Sequence, residues 1–307
     1  MKSRIVGKLD GAFPRAYEFD QTIVSRGLSK AFLVESELTA ECEVPDDLPV
    51  RPPVLCAGCP HSATYFAVGK ATKHKALFAT DIGCYSMSIM PPLKYGDSLL
   101  SMGAALGVAA GLQHAVEEKV VAMVGDSTFY HACLPGLVNA VHHSDDFTLV
   151  ILDNSVTAMT GQQPHPGSDV TAGARPAKKL VLENVVRGFG IEDVTIVDPY
   201  DVKDTIEQMK TALSRKGPNV IISRRECALY SDRNKRKRGE KISSKAVDHE
   251  KCKRPYTCVR QFHCPAISID DDDRSAEISQ SLCDGCGVCS RICPFGSIDD
   301  RGGGEGQ

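Results

Sequence analysis

The sequence has no large excess of positive or negative charge, no apolar leader and no uninterrupted apolar run. Its 307 residues carry a net charge of −3, which indicates neither a nucleic acid nor an anionic membrane as a partner. The N-terminal MKSRIVGKLDG has no apolar h-region, so a signal peptide is not expected. The most apolar run, residues 99–116, is interrupted by Ser101, Gln113 and His114, which favours a buried helix over a membrane span. We expect a cytoplasmic protein.

Cysteine, in contrast, is abundant. The chain contains 13 cysteines, an odd number. In a reducing compartment such a number favours metal ligands over disulfides. One pair, Cys56 and Cys59 in RPPVLCAGCPH, is half of a metal site, and no second pair follows within about thirty residues. The remaining ligands of that site must come from distant parts of the chain.

Composition divides the chain into five predicted segments. They are an N-terminal lead-in, partly extended (1–50), a cofactor-binding α/β domain (51–230), a basic linker (231–247), a small cysteine-rich domain (248–300) and a disordered tail (301–307). The linker is interpreted as a solvated connection, with a docking patch for an acidic partner as the alternative. The cysteine-rich domain is too small for a large apolar core, so metal is expected to stabilise it.

Short β-branched runs alternate with helical patterns in the larger domain. Strands are predicted at 76–82, 119–125, 147–153, 194–198 and 219–223, and helices at 99–118, 132–143, 177–189 and 201–216. Near-continuous apolar strands that alternate with helices predict an α/β fold whose mostly parallel sheet has helices on both faces.

The strongest motif is CDGCGVCSRICP near the C-terminus. Its spacing matches the bacterial ferredoxin run C-x2-C-x2-C-x3-C-P, in which the fourth cysteine binds the other cluster of a pair. The ligands in this run are Cys283, Cys286, Cys289 and Cys293. A zinc site is the alternative, and the terminal Cys-Pro disfavours it. The motif predicts a ferredoxin-like α+β domain.

An altered second run, CKRPYTCVRQFHCP, precedes it. By the crossing rule, Cys264 completes a [4Fe-4S] site with Cys283, Cys286 and Cys289. The other site then receives Cys252, Cys258 and Cys293, with Pro255 where a further cysteine would stand. Three outcomes remain open for this second site: a three-iron cluster, a four-iron cluster with a non-cysteine ligand, or loss of the cluster.

Polar residues follow two successive predicted strands of the larger domain. Asp126 comes directly after the strand that ends at Gly125, and Asn154 follows the next strand. Ligands of α/β sheets bind at the carboxyl ends of the strands, and Asp and Asn oxygens suit Mg²⁺. His61 and His131 lie near these motifs in the sequence, either to transfer protons or to pack and orient a substrate.

This pattern resembles the thiamine diphosphate motif, Gly-Asp-Gly followed by Asn. Ser127 stands where the motif has its second glycine. The resemblance implies that Mg²⁺ is held by Asp126, the Asn154 side chain and the Val156 carbonyl. It also implies that Gly125, Asp126 and Ser127 hold the diphosphate.

Five motifs together resemble the thiamine subunit of the indolepyruvate-type 2-oxoacid:ferredoxin oxidoreductases: CAGCPH, TDIGCYS, GDSTFYHA, DNSVTAMTG and RRECAL. The resemblance implies a proximal [4Fe-4S] cluster held by Cys56, Cys59, Cys84 and Cys227. Cys84 and Cys227 follow predicted strands, so they could meet at the same sheet edge, and buried free thiols are the alternative. Cys42 and Cys133 are interpreted as structural.

The same resemblance implies oxidative decarboxylation of an aryl pyruvate to acyl-coenzyme A and CO₂, with electrons passed to ferredoxin. In this family the activating glutamate lies on a pyrimidine-binding domain, for which the first fifty residues are too few. We therefore predict a split enzyme that needs a separate pyrimidine-binding-domain subunit and a gamma-type subunit. No aromatic pocket is evident and the chain contains no tryptophan, so the 2-oxoacid stays open.

Three other functions fit part of the pattern. A non-redox thiamine-dependent decarboxylase would use Asp126 and Asn154 but needs no ferredoxin cysteines. An electron-transfer-only subunit would explain residues 248–300 and leave the thiamine motif without a role. A metal-stabilised interaction subunit would keep its role without iron.

Overall fold

A computed structural model describes residues 5–33, 47–48 and 52–300 of the chain. Contacts divide the chain into two units, Met1–Pro52 and Pro53–Gln307. Cys42 and the tail predicted at 301–307 lie outside the described residues. In the part of the chain that the structure describes, no helix is long and apolar enough to cross a membrane.

The first unit contains a helix where an extended lead-in was predicted. Helix α1 spans Gln21–Phe32 and begins after Asp20, whose side chain accepts a hydrogen bond from the Ile23 N–H at 2.7 Å. An aspartate in this position satisfies a free N–H group of the first turn and so stabilises the start of the helix. The prediction of a partly extended segment is therefore wrong for these residues.

The second unit contains a six-stranded parallel sheet. Its strands are β1 Leu77–Thr80, β2 Ser98–Leu99, β3 Val120–Gly125, β4 Thr148–Asp153, β5 Val194–Val197 and β6 Asn219–Arg224, in the order β2-β1-β3-β4-β6-β5. The central strands β3 and β4 are buried along their whole length. The five predicted strands are all present, and β2 is an additional short edge strand.

Helices cover both faces of this sheet. They are α2 Pro60–Thr72, α3 Ala104–Leu112, α4 Asp126–Thr128, α5 Leu134–His143, α6 Leu182–Gly188 and α7 Val202–Leu213. Leu149 and Ile151 of β4 pack on the face covered by α3, α5 and α6, whereas Val150 and Leu152 pack on the face covered by α2 and α7. This alternation follows from the two-residue period of a strand. The predicted fold class is confirmed.

Two helix predictions need correction. The helix predicted at 99–118 spans only Ala104–Leu112, because residues 98–99 pair with β1 and Gly103 has a φ of 86°. A left-handed residue cannot lie inside an α-helix, so α3 begins after it. Helix α2 was not predicted, since all its residues from Pro60 to Gly69 are buried and it shows no amphipathic pattern.

The cysteine-rich part forms a small α+β structure beside the sheet. Its elements are strands β7 Lys245–Val247, β8 Ile267–Ile269, β9 Ala276–Ile278 and β10 Ile298–Asp300, with helix α9 Val288–Ile292. β7 pairs antiparallel with β10, and β8 pairs antiparallel with β9. The stretch predicted as a linker, 231–247, instead contains most of helix α8 Ala228–Lys237 and the whole of β7. Sequence missed both elements because α8 buries little and β7 is paired by a strand far along the chain.

An apolar cluster joins the cysteine-rich part to the sheet. Phe262 is 1% exposed and contacts Phe66 of α2 edge to face, with ring centroids 6.4 Å apart. Val288 and Ile292 of α9 belong to the same cluster. Beside it, Lys70 Nζ donates to Gln261 Oε1 at 2.7 Å. The two parts of this unit therefore share a core.

Replacing Phe262 tests this shared core. Phe262→Ala is expected to lower the free energy of unfolding by about 3–5 kcal/mol, because truncation leaves a cavity between α2 and the cysteine-rich part. The measurement is urea unfolding of the reduced, iron-free chain followed by circular dichroism. Phe295→Ala is the control, since Phe295 is 49% exposed. Equal effects of the two changes would contradict the shared core.

Candidate functional site

The thiamine motif lies at the carboxyl ends of β3 and β4. These strands are neighbours, with Gly125 opposite Leu152 in the register. Asp126 begins α4 directly after β3, and Asn154 follows the last residue of β4. The structure thus brings Asp126 and Asn154 to one edge of the sheet, where the Asn154 N–H donates to Asp126 Oδ2 at 3.0 Å.

The buried carboxylate of Asp126 accepts several hydrogen bonds. It is 3% exposed, and its Oδ1 accepts the Ser127 N–H at 2.7 Å. Its Oδ2 accepts the N–H groups of Asn154 and Ser155, the latter at 2.7 Å. Charge-assisted bonds of this kind offset the cost of burying the ion. The carboxylate is therefore fixed in position.

Asn154 and Val156 complete a set of oxygen donors in the same loop. Both residues are buried, and Asn154 Oδ1 accepts the Val156 N–H at 3.2 Å. A carboxylate, an amide oxygen and a main-chain carbonyl are hard ligands of the type that Mg²⁺ binds beside phosphate oxygens. The chemistry of these residues fits Mg²⁺.

A cavity of about 130 Å³ lies against this loop. Gly125, Asp126 and Ser127 line one side of it and Asn154 and Val156 another. The Ser127 hydroxyl accepts a hydrogen bond from the Thr157 hydroxyl at 3.0 Å, so the serine that replaces the motif's glycine is accommodated by a polar neighbour.

His61 lies in this cavity and His131 does not. His61 Nε2 is 3.2 Å from Asn154 Nδ2, and an amide NH₂ can only donate, so Nε2 accepts and the ring proton is on Nδ1. Burial lowers the pKa of His61 to about 4, although the charge of Asp126 opposes this shift. The ring is therefore neutral near pH 7. His131 is exposed and does not line the cavity, so its position does not support a role in proton transfer.

Sequence reasoning missed two residues at this site. His165 Nε2 lies 3.1 Å from Asp126 Oδ2, while its Nδ1 accepts the Gly167 N–H at 3.0 Å, so Nε2 carries the proton and donates. Tyr85 lines the cavity and contacts the His61 ring at right angles, 6.0 Å between centroids. His165 lies in a long loop after β4, and no spacing in the sequence connects it to Asp126.

The four cysteines predicted for the proximal cluster come together at the same sheet edge. Cys56 and Cys59 precede α2, Cys84 follows β1, and Cys227 follows β6. Burial raises the pKa of Cys56, and the charge of Cys227 adds to the rise. Burial also raises the pKa of Cys84 to about 11, with contributions from the charges of Cys227 and Cys56. Burial is also the main cause of the raised pKa of Cys59, to which Cys56 and Cys84 add. The Cys56, Cys84 and Cys227 thiols thus lie within electrostatic range of one another, and Cys59 lies within range of Cys56 and Cys84.

This cysteine set adjoins the thiamine site. The Cys227 N–H donates to the Asn154 carbonyl at 3.0 Å, and Cys84 lines the cavity that contains Asp126. Desolvated thiolates crowded together are costly, and a bound metal centre removes that cost. The donor set therefore fits an iron–sulfur cluster beside the cavity.

The ferredoxin-like cysteines lie close together, with Cys258 of the second predicted set also acting on Cys289 of the first. In the first, burial raises the pKa of Cys289 to about 12, and the charges of Cys264 and Cys283 add to the rise. Burial also raises the pKa of Cys286, and the charges of Cys289 and Cys264 add to this rise. This set has four thiols, which is the number that a [4Fe-4S] cluster needs.

The second set contains Cys252, Cys258 and Cys293. Burial raises the pKa of Cys258, and the charges of Cys293 and Cys252 add to the rise. Burial alone would raise the pKa of Cys293, but the Ser297 hydroxyl at 3.1 Å and the Ser297 N–H at 3.5 Å lower it. The set has three thiols, as the crossing rule predicts.

Two cysteines have other surroundings. Cys133 is fully buried in the apolar core between α5 and the sheet, as a structural cysteine would be. Cys42 lies outside the described residues. Within residues 5–33, 47–48 and 52–300, no three His, Cys, Asp or Glu side chains are arranged to hold a single metal ion. The thiols of a cubane bind different irons and stand farther apart than the ligands of one ion.

Comparison with known proteins agrees with this arrangement. Residues 81–223 match the family described as thiamine pyrophosphate enzyme, C-terminal TPP binding domain, and residues 276–299 match the 4Fe-4S binding domain. The chain is 39% identical over 95% of its length to indolepyruvate oxidoreductase subunit IorA of Pyrococcus horikoshii, of which it covers 48%. It is 41% identical over 96% of its length to the subunit of the same name from Archaeoglobus fulgidus, again covering 48%.

Over nearly its whole length this chain is similar to the indolepyruvate oxidoreductase IorA subunits. It spans about half the length of the curated relatives it matches. The family resemblance, the thiamine-binding domain and the 4Fe-4S domain inferred from sequence are thereby confirmed.

A solved structure shows the same fold. The 2-oxoglutarate:ferredoxin oxidoreductase from Magnetococcus marinus, solved with 2-oxoglutarate, coenzyme A and succinyl-CoA bound, matches 62% of this chain and 70% of its own with a TM-score of 0.51. The sequences are 24% identical, so this likeness concerns the fold alone.

Removal of one proximal cysteine tests the first cysteine set. Clusters at the proximal set and at the four-thiol ferredoxin set together require about eight irons, or about eleven to twelve if the three-thiol set is also filled. Cys227→Ala is expected to lower the iron content by about four. Iron and acid-labile sulfide are measured on anaerobically purified protein. Cys133→Ala should keep the parent content, and undiminished iron in a chain that carries Cys84→Ala as well as Cys227→Ala would show that these cysteines hold no cluster.

Truncation of His165 tests its support of the metal site. Partners that orient a metal ligand typically contribute about 10–100-fold to metal affinity. His165→Ala is therefore expected to raise by that factor the Mg²⁺ concentration needed for half-maximal thiamine diphosphate binding, measured by calorimetry. The control is His142→Ala, an exposed histidine on α5. An unchanged Mg²⁺ requirement would exclude this role for His165.

Proposed function

We propose that this chain is the thiamine diphosphate- and iron–sulfur-containing subunit of a 2-oxoacid:ferredoxin oxidoreductase that acts on an aryl pyruvate such as indolepyruvate. The products are acyl-coenzyme A and CO₂, and ferredoxin accepts the electrons. The observation that carries the proposal is the hydrogen bond from the Cys227 N–H to the Asn154 carbonyl at 3.0 Å. It joins the proximal cysteine set to the loop that fits Mg²⁺ and the diphosphate.

Each cofactor supplies chemistry that side chains lack. Bound thiamine diphosphate provides a nucleophilic carbon and an electron sink for loss of CO₂, and iron–sulfur clusters accept single electrons. Asp126, the Asn154 side chain and the Val156 carbonyl would hold Mg²⁺. The main chain at Gly125 and Ser127, at the start of a helix, would bind the diphosphate.

The chain's histidines then have distinct tasks. His165 holds the Asp126 carboxylate through Oδ2, the oxygen that also accepts the Asn154 N–H. Neutral His61 keeps the Asn154 amide oriented through its Nε2, and because its Nδ1 carries the ring proton, it can donate a hydrogen bond to a reacting group in the cavity. We assign no task to His131.

Exposed apolar side chains at the cavity support the presence of a surface that a partner protein covers. Ile82, Met102 and Met159 line the cavity yet are 39%, 44% and 48% exposed, and Leu100 nearby in the sequence is 71% exposed. Exposed apolar residues grouped at a functional cavity indicate a surface that another protein covers. We propose that a pyrimidine-binding domain with the activating glutamate covers this edge and that a gamma-type subunit completes the enzyme. The aryl pocket would be shared between this edge and that domain.

Reconstitution tests the function. The chain, combined anaerobically with its pyrimidine-domain and gamma-type partners, thiamine diphosphate, Mg²⁺ and coenzyme A, is expected to reduce ferredoxin or methyl viologen when indolepyruvate is added. Reduction should be slower with pyruvate or 2-oxoglutarate. Asp126→Ala should abolish it by removing a Mg²⁺ ligand, whereas Asp204→Ala, an exposed change on α7, should not.

The same assay separates the alternatives. Release of CO₂ without reduction of the acceptor would indicate a non-redox decarboxylase. Clusters that accept electrons in a protein that binds no thiamine diphosphate would indicate an electron-transfer subunit. Either result would refute the proposal.

A further inference from the structure

The loop Cys56–Cys59 faces the loop Cys283–Cys286 of the ferredoxin-like part. Gly58 has a φ of 67°, and a Cβ placed there would lie 1.7 Å from Asp284 Oδ2. Both the backbone conformation and the lack of space therefore require glycine at this position. At Gly58 the loop of the proximal cysteine set lies against the loop of the four-thiol ferredoxin set.

Tyr200 fixes this glycine. It follows β5, is 7% exposed, and its hydroxyl donates a hydrogen bond to the Gly58 carbonyl. The Tyr200 carbonyl in turn accepts a hydrogen bond from the Arg291 guanidinium of α9, and the Arg225 guanidinium lies 4.3 Å from the centre of its ring. The tyrosine is thus tied to the sheet, to the proximal loop and to the ferredoxin-like part.

Both cysteine sets lie within electrostatic range of Tyr200. Burial and then the charges of Cys286 and Asp284 raise the pKa of Tyr200 far above its ordinary value, and Cys59 adds to this rise. The hydroxyl therefore keeps its proton and remains a donor to the Gly58 carbonyl. On its other side, the Gly58 N–H is directed to the Cys264 thiol.

We propose that Tyr200 is a positioning residue that sets the reduction potential of the cluster bound by Cys264, Cys283, Cys286 and Cys289, by holding Gly58 between that cluster and the proximal one. The inference rests on the proposed function only in requiring that both clusters are bound. Hydrogen bonds to the cluster sulfurs, local charge and solvent exposure set such potentials. Gly58 affects the hydrogen bonds through its N–H group and the local charge through the dipole of its carbonyl.

The direction of the effect follows from charge. One-electron reduction of a cluster adds one negative charge. Without the Tyr200 hydroxyl, the buried Gly58 carbonyl loses its donor, and the negative end of its dipole is no longer compensated. The loop is also freer to turn the Gly58 N–H away from Cys264. Both changes disfavour the reduced cluster, so the potential becomes more negative.

The test compares Tyr200→Phe with Tyr95→Phe. Tyr95 is also a buried tyrosine, and its hydroxyl bonds to His74 at 3.3 Å, so the control loses a similar hydrogen bond elsewhere. Anaerobic protein is titrated with dithionite, and the cluster signals are followed by EPR together with iron per chain. Tyr200→Phe should keep the parent iron content and shift the ferredoxin-type signal to a more negative potential. Tyr95→Phe should shift nothing.

Each other outcome is decisive. An unchanged potential in Tyr200→Phe with full iron content would overturn the inference and leave the proposed function intact. Loss of iron in that variant would also overturn it, since Tyr200 would then serve cluster assembly. A parent chain without clusters would refute the proposed function itself.

Discussion

The buried carboxylate of Asp126 is the constraint on which the site depends. It is held by main-chain N–H groups of Ser127, Asn154 and Ser155 and by His165. A buried charge with fewer partners would shift toward its neutral form or destabilise the fold. The donors come from α4, directly after β3, and from the loop after β4, so the carboxylate is satisfied only when the parallel register of these strands is correct. The site therefore forms only when the sheet has folded.

The second consequence of that register is the position of the cysteines. The carboxyl ends of β1, β4 and β6 lie along the same edge, and the segments that follow them carry Cys84, Asn154 and Cys227. A parallel sheet sends all its strand ends to one side, so ligands separated by more than a hundred residues meet without any local motif. In this way the sheet brings Cys84 and Cys227 toward the lone C-x2-C of the sequence.

The ferredoxin-like part is packed against the sheet rather than tethered to it. Phe262 and α9 share a core with α2, and Tyr200 contacts the loops of both cysteine sets. A rigid junction keeps the separation of the two cysteine sets constant, which a flexible linker cannot do. The segment expected to be such a linker instead supplies helix α8 and strand β7.

The amino-acid sequence by itself determined the α/β class, the five main strands, the thiamine motif and the 4Fe-4S domain, because each of these is encoded in short spacings or in local apolar periodicity. Tertiary structure alone decided the role of His165, the glycine at position 58 pressed against Asp284, and the junction at Tyr200. It also separated His61, inside the cavity, from His131, which is exposed. Such contacts join residues far apart in the chain, and only the packing of complete helices and strands brings them within a few ångströms.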